Sequence, residues 1–288
     1  MTSTHNTVTT IKANAKINLG LKITGRLSNG YHTLYSLFLE IDLADHLHFK
    51  ILPEPDITVT TEGIPIQKDA VNLCEKAARI ICQNHPVSSG VHIHLDKHIP
   101  IGAGLGGGSS DAGTTIKILS ALWGLNLPLN EQIRLASMVG ADVPFFIQGG
   151  LQLAENTGDH LTAVDGEPLR SLHFVLVKPD FEVSTPWAYE QIKTYLKLPT
   201  NINRFAPLSE PLNWALFEND FERVIVSTYP ELAEIKEELL LRNAVFASLS
   251  GSGSTVYGIF DDREKALQAS AYFSSQSFWT ASTRPVHR

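Results

Sequence analysis

The chain of 288 residues carries 43% hydrophobic and 18% charged residues, the balance of a folded globular protein long enough for two modest domains. A net charge of −7 without a basic stripe excludes a nucleic-acid-wrapping surface, and no apolar run approaches the ~20 residues that span a bilayer. Cys74 and Cys82 form no metal-type pair, and two buried, reduced thiols in a cytoplasmic protein are expected.

The first eight residues, MTSTHNTV, are polar, lack the apolar core of a signal peptide and read as a short disordered tail. From Ile11 to Ile23 apolar residues alternate with Lys12, Asn14, Lys16, Asn18 and Lys22. Period two predicts a strand with one buried and one polar face, and the length predicts a bend or bulge. Lys16 and Asn18 are neighbours on the polar face. A turn at Ser28, Asn29 and Gly30 precedes Tyr31 and His32. Leu47, Phe49 and Ile51 alternate with His46, His48 and Lys50, which predicts a second half-buried strand.

Residues 70–84 carry apolar groups at helical spacing. Val91, Ile93 and Leu95 then alternate with His92, His94 and Asp96, a strand leading into GAGLGGGSSDA at 102–112. His92 and His94 share a face with Asp96, but a ligand set at fixed geometry is not evident, so a solvated strand face is the reading. Behind the glycines a helix opens on Ser109 and Ser110 and stops at Gly124, and Asn130 caps another that ends near Gly140. Asp142 follows this stop. Pro144 is expected to push Val143 to an extended conformation and leave Asp142 on an irregular turn.

Residues 155–170 read as a polar loop, 174–177 as a strand and 230–243 as a helix. Strands at 244–249 and 255–260 flank a Ser-Gly turn, followed by a helix over 262–273 and a strand near Phe278. Hairpins and helices without regular βαβ alternation predict an α+β fold, with domains at 1–155 and 156–288.

Glycine loses the most chain entropy on folding, so a run this dense implies close approach to the backbone. Strand, glycine loop and helix N-terminus together make an anion site. A Walker loop would need a Lys after the last glycine, and none follows. Gly102, Gly104 and Gly107 satisfy GxGxxG, but no acid occurs between Asp111 and Glu131 to meet a ribose, and the preceding strand is not continuously apolar. Protein-kinase HRD and DFG triplets are absent.

PIGAGLGGGSS at 100–110 resembles the nucleotide loop of the GHMP small-molecule kinases. ANAKINLG at 13–20, GYH at 30–32, GADVPFF at 140–146 and SLSGSGS at 248–254 agree with that superfamily. Asn14, where the family often has Pro, and Leu39, where it often has Gln, depart from it. The resemblance implies a two-domain fold, with an N-terminal nucleotide-binding α+β domain and a C-terminal ferredoxin-like α+β domain. It implies an ATP- and Mg²⁺-dependent kinase of a CDP-linked methylerythritol, acting at the 2-hydroxyl as a monomer or weak homodimer, without nucleic-acid or membrane partners. Nucleotide contacts are implied for Pro100, Ile101, Gly102, Ala103, Gly104, Leu105, Gly106, Gly107, Gly108, Ser109 and Ser110, and also for Asn72 and Lys97. Lys16 and Asp142 take the catalytic positions, while Asn18, Tyr31, His32 and Tyr189 take the substrate pocket, with no dedicated protein metal site. In that family the matching aromatics sandwich a cytosine. Aspartate is an ordinary weak base, so Asp142 takes the acceptor proton late or aligns the hydroxyl, and both roles stay open. Alternatives are a mevalonate- or homoserine-type kinase, an NAD-dependent oxidoreductase and a nucleotide-binding module without catalysis.

Overall fold

The computed structural model describes residues 7–66, 71–195, 205 and 208–287, which form two compact units. The first six residues of the expected tail lie outside the described residues. Residues up to Ala15, Ala44–Ile101 and Gly106–Gly149 make the first unit, and Lys16–Leu43, Gly102–Leu105 and Gly150–Arg288 make the second. Among the described residues no helix is long and apolar enough to cross a membrane.

Strands β1 (Thr9–Arg26) and β2 (His32–Leu52) contribute to both units. In the first, β3 (Ile57–Gly63) pairs parallel with β4 (Gly90–Lys97), and β4 pairs antiparallel with residues 46–52 of β2. Parallel neighbours need a crossover, supplied by α1 (Leu73–Asn84). The helices α2 (Gly107–Leu122), α3 (Leu129–Val139) and α4 (Val143–Gln148) complete the unit. Its core joins Leu47, Phe49, Val91, Ile93 and Leu95 of the strands to Cys74, Ala77, Ile81, Ile116, Leu119 and Leu135 of the helices. The alternation expected for β2 and β4 therefore holds, with histidines on the opposite face.

In the second unit β2 pairs with β5 (Leu151–Glu155), and β5 with β6 (His160–Ala163), both antiparallel. A separate antiparallel sheet runs β10-β7-β9-β8, from β7 (His173–Lys178), β8 (Phe246–Leu249), β9 (Val256–Phe260) and β10 (Trp279–Thr283). Helices α5 (Thr185–Tyr195), α6 (Glu222–Ile225) and α7 (Glu231–Leu241) lie between β7 and β8 in the chain, and α8 (Arg263–Ser275) lies between β9 and β10. A βαββαβ chain order with that strand order is the ferredoxin-like arrangement.

Several local expectations are corrected. The polar face of β1 is not solvated, because Lys16 and Asn18 are 4% and 3% exposed and bond to neighbouring polar groups. β1 runs unbroken over Thr9–Arg26, and the one positive φ within it is that of Gly20, at 74°. Helix α2 starts at Gly107, two residues before Ser109, since Gly106 in the left-handed conformation turns the chain into it. Asn130 lies inside α3 instead of capping it. Val143 is the first residue of α4 and not extended, since Pro144 stands in the first turn, where a missing N–H costs no helical bond. The loop expected at 155–170 contains β6, which pairs back on β5. Cys82 is exposed, while Cys74 is buried. Eight residues turn about 80° round a helix, enough to carry one thiol off the core face.

Candidate functional site

The glycine loop contributes to both units. In the first, the N–H groups of Gly107, Gly108 and Ser109 precede the bond from Ser110 N–H to Gly106 O (2.9 Å). These first-turn donors have no ladder acceptor and sit at the positive end of the helix dipole, the usual setting for a phosphate. Ser110 is buried, and its Oγ donates to the Asn14 carbonyl at 2.6 Å, so this hydroxyl ties α2 to β1. Asn72 caps α1, its Oδ1 accepting from Cys74 N–H at 2.9 Å. Pro100 is buried and Ile101 half-buried.

Lys97 is buried between two carboxylates: its Nζ donates to Asp45 Oδ2 and to Asp111 Oδ2, the latter at 2.9 Å. A Cβ on Gly107 would lie 3.2 Å from Lys97 Nζ and 2.9 Å from Ile99 Cγ2. Burial alone would depress the Lys97 ammonium, but Asp111 and Asp45 hold it above its ordinary value. Burial pushes the Asp111 carboxyl up to about 8, Lys97 draws it down, and the Asp45 charge adds to the rise. Asp111 Oδ1 is buried with no hydrogen-bond partner among the described residues.

In the second unit Gly102 to Leu105 pack on the SLSGSGS segment. A Cβ on Gly104 would stand 2.1 Å from the Ser250 carbonyl oxygen, and one on Gly102 would stand 2.7 Å from Glu182 Oε2. Ser250 Oγ donates to Gly104 O (2.9 Å), and Thr255 N–H donates to Ala103 O (3.3 Å). Lys16 N–H donates to Leu105 O at 2.9 Å. Gly102, Gly104 and Gly107 thus meet protein atoms closely, so close backbone approach within the protein already requires glycine at these positions.

Lys16 and Asn18 sit on one face of β1, as expected. Lys16 Nζ donates to Asn18 Oδ1 at 2.6 Å and lies 4.9 Å from the Phe38 ring centre. Asn18 Nδ2 donates to Ser36 Oγ (3.0 Å), which donates to Gly20 O (2.7 Å). Asn18 N–H reaches Ser250 Oγ at 3.3 Å, and Tyr257 OH donates to Asn18 O at 3.2 Å. This network holds a buried ammonium in one position, since a buried charge demands partners. Asp142 is half-buried at the N-cap position of α4 and makes no side-chain capping bond there.

His32 is buried and stacks on Tyr189 of α5, with centroids 5.1 Å apart and planes 18° apart, and Phe221 meets the Tyr189 ring edge-on at 4.9 Å. Tyr31 is 67% exposed, not the half-buried anchor an isolated tyrosine by a turn would suggest. Sequence reasoning missed Ser36, Asp45 and Glu182. No local pattern singles them out, and only Asp111 stood inside a quoted motif.

A model of the GHMP kinases N terminal domain matches residues 72–150, and one of the GHMP kinases C terminal matches 196–277. The chain belongs to the GHMP kinase family. It is an ATP-dependent small-molecule kinase, and among its curated relatives are proteins named 4-diphosphocytidyl-2-C-methyl-D-erythritol kinase. That of Chlorobium limicola is 41% identical, with 96% of each chain covered. That of Prosthecochloris aestuarii is 41% identical over 92% of this chain and 93% of the relative. A crystal structure of 4-(cytidine 5'-diphospho)-2C-methyl-D-erythritol kinase superposes with a TM-score of 0.80 at 29% identity, covering 96% of this GHMP kinase and 99% of that chain. The Methanococcus jannaschii mevalonate kinase shares the fold alone, with a TM-score of 0.73 at 16% identity over 98% and 99% of the chains. The dinucleotide reading also loses its context, because α2 leads to α3 instead of a second parallel strand.

Proposed function

We propose that this GHMP kinase transfers the γ-phosphoryl group of ATP to the 2-hydroxyl of 4-diphosphocytidyl-2-C-methyl-D-erythritol, a step of non-mevalonate isopentenyl diphosphate biosynthesis. Full-length similarity to relatives of that name carries the reading. The acceptor oxygen forms a bond to the γ-phosphorus as the bond to ADP breaks, and its proton passes to Asp142 or, where Asp142 only orients the hydroxyl, to solvent. Positioning and charge neutralisation do most of this work. The first turn of α2 receives phosphate oxygens on the N–H groups of Gly107, Gly108 and Ser109, which together with the Ser109 hydroxyl suit a phosphate–magnesium pair. Mg²⁺ supplies charge neutralisation to the phosphates.

Lys16 stabilises charge on the transferring group, a role its buried and hydrogen-bonded ammonium suits. Asp142 takes or orients the acceptor proton. Lys97 acts on the nucleotide loop from beneath Gly107, paired with Asp45 and Asp111. Tyr31, His32 and Tyr189 bind the cytosine. The His32 ring occupies one face of Tyr189, so a base uses the other face or displaces His32. A coupled ADP-release assay tests the assignment. Turnover is expected with the CDP-linked methylerythritol and not with mevalonate, homoserine or methylerythritol lacking the CDP group. Turnover of a plain alcohol at equal efficiency would refute it.

A further inference from the structure

We propose that His46, Asp96 and His98 form a binding site for a divalent transition metal of the Zn²⁺, Ni²⁺ or Cu²⁺ class. The three residues belong to the first unit, on the sheet face opposite its helices. Antiparallel pairing of β2 with β4 sets His46 directly across from Asp96. His98 lies just beyond the end of β4, and its backbone N–H donates to Asp45 Oδ1 at 2.6 Å, which anchors the residue beside the strand pair. His98 Nε2 is 2.9 Å from Asp96 Oδ2, and the rings of His46 and His98 are 5.3 Å apart at 66°. One ligand atom from each residue lies within 4.8 Å of the other two. A tetrahedral cation with bonds near 2.1 Å wants donors roughly 3.4 Å apart, which small side-chain rotations supply.

The neighbouring histidines are committed elsewhere. His92 Nδ1 and Nε2 face Thr58 and Thr60 hydroxyls at 2.9 and 3.3 Å. His94 Nδ1 faces Thr60 at 3.0 Å, and its Nε2 lies 3.6 Å from Glu62. Neither ring nitrogen of His46 is hydrogen-bonded among the described residues. Two imidazoles and one carboxylate favour borderline transition metals over Mg²⁺ or Ca²⁺, which prefer all-oxygen sites. His46 and Asp96 are half-buried and His98 is exposed, giving a defined site with an entry side.

The test is titration of the untagged full-length protein with Zn²⁺ and Ni²⁺ by calorimetry, and with Co²⁺ by visible absorption. One equivalent should bind, with Co²⁺ giving d–d bands, and millimolar Mg²⁺ should not compete. His46→Ala and His98→Ala should each weaken binding at least about tenfold, on the scale of losses at metal sites. His92→Ala should leave binding unchanged. Unfolding midpoints measured without metal confirm that the variants fold. Absence of stoichiometric binding, wild-type affinity in the His46→Ala, His98→Ala double variant, or an equal loss in His92→Ala would overturn the site.

Discussion

The carbonyl oxygen of Ser250 stands 2.1 Å from the point where Gly104 would carry a Cβ, and Ser250 Oγ donates back to Gly104 O at 2.9 Å. Two motifs about 146 residues apart (250 − 104) are pressed backbone to backbone, and glycine is the residue that permits it. Gly104 also has φ of 77°.

Gly104→Ala should therefore combine left-handed strain of roughly 1–2 kcal/mol with overpacking of about 1–3 kcal/mol. Gly124 shares the positive φ (68°) but has open space around its Cβ position, so Gly124→Ala should cost only the strain. Urea denaturation of both variants separates the two effects. Equal losses would mean that the Ser250 contact relaxes freely.

Asp142→Asn keeps shape and removes the charge. Substrate affinities should survive while kcat falls about 10²–10⁴-fold, the usual scale of acid–base help. Lys16→Met retains most of the buried volume and, on the role proposed for Lys16, should also lower kcat through loss of a cationic partner for the transferring group. Groups that act as a unit are non-additive, so the double variant should be little worse than the poorer single one. Steady-state kinetics in which the losses multiply would show independent action.

Tyr189→Ala should raise KM for the CDP substrate and leave ATP affinity unchanged. Base stacking is worth ~1–3 kcal/mol, so a rise of roughly tenfold or more is expected. Tyr189→Phe keeps the ring that stacks on His32 and should retain most of the affinity. A parallel loss of ATP affinity would place Tyr189 in the shared scaffold instead.

The Lys97 triad sets a pH dependence with a definite sign. Asp111 has a folded pKa of about 8, above its ordinary 3.8. A raised carboxyl stabilises the fold fully below about pH 4 and loses that contribution as pH climbs through about 8. Asp111→Asn removes this titration, so its stability relative to wild type should improve between pH 5 and about pH 9 in urea unfolding. Lys97→Met leaves the buried Asp45–Asp111 pair without its cation and should cost about 3–5 kcal/mol at neutral pH.

Alternation was enough to place the strands at 47–51 and 91–95, and helical spacing the helix near α1, because burial of one face writes a period into neighbouring residues. The motif at 100–110, with the shorter motifs at 13–20, 140–146 and 248–254, was enough to mark an ATP-dependent kinase. Lys16 and Asn18 could be put on one face of β1 from the period alone. Their burial could not, because it depends on Ser36, Phe38 and Ser250, which only chain folding delivers. The same holds for Asp45 beneath Lys97 and for His46 opposite Asp96, pairings that no local period encodes. Gly102 and Gly104 are explained by Glu182 and Ser250 in the same way. Local sequence encodes which face each residue takes. What stands against that face is decided by long-range pairing, which leaves no periodic trace.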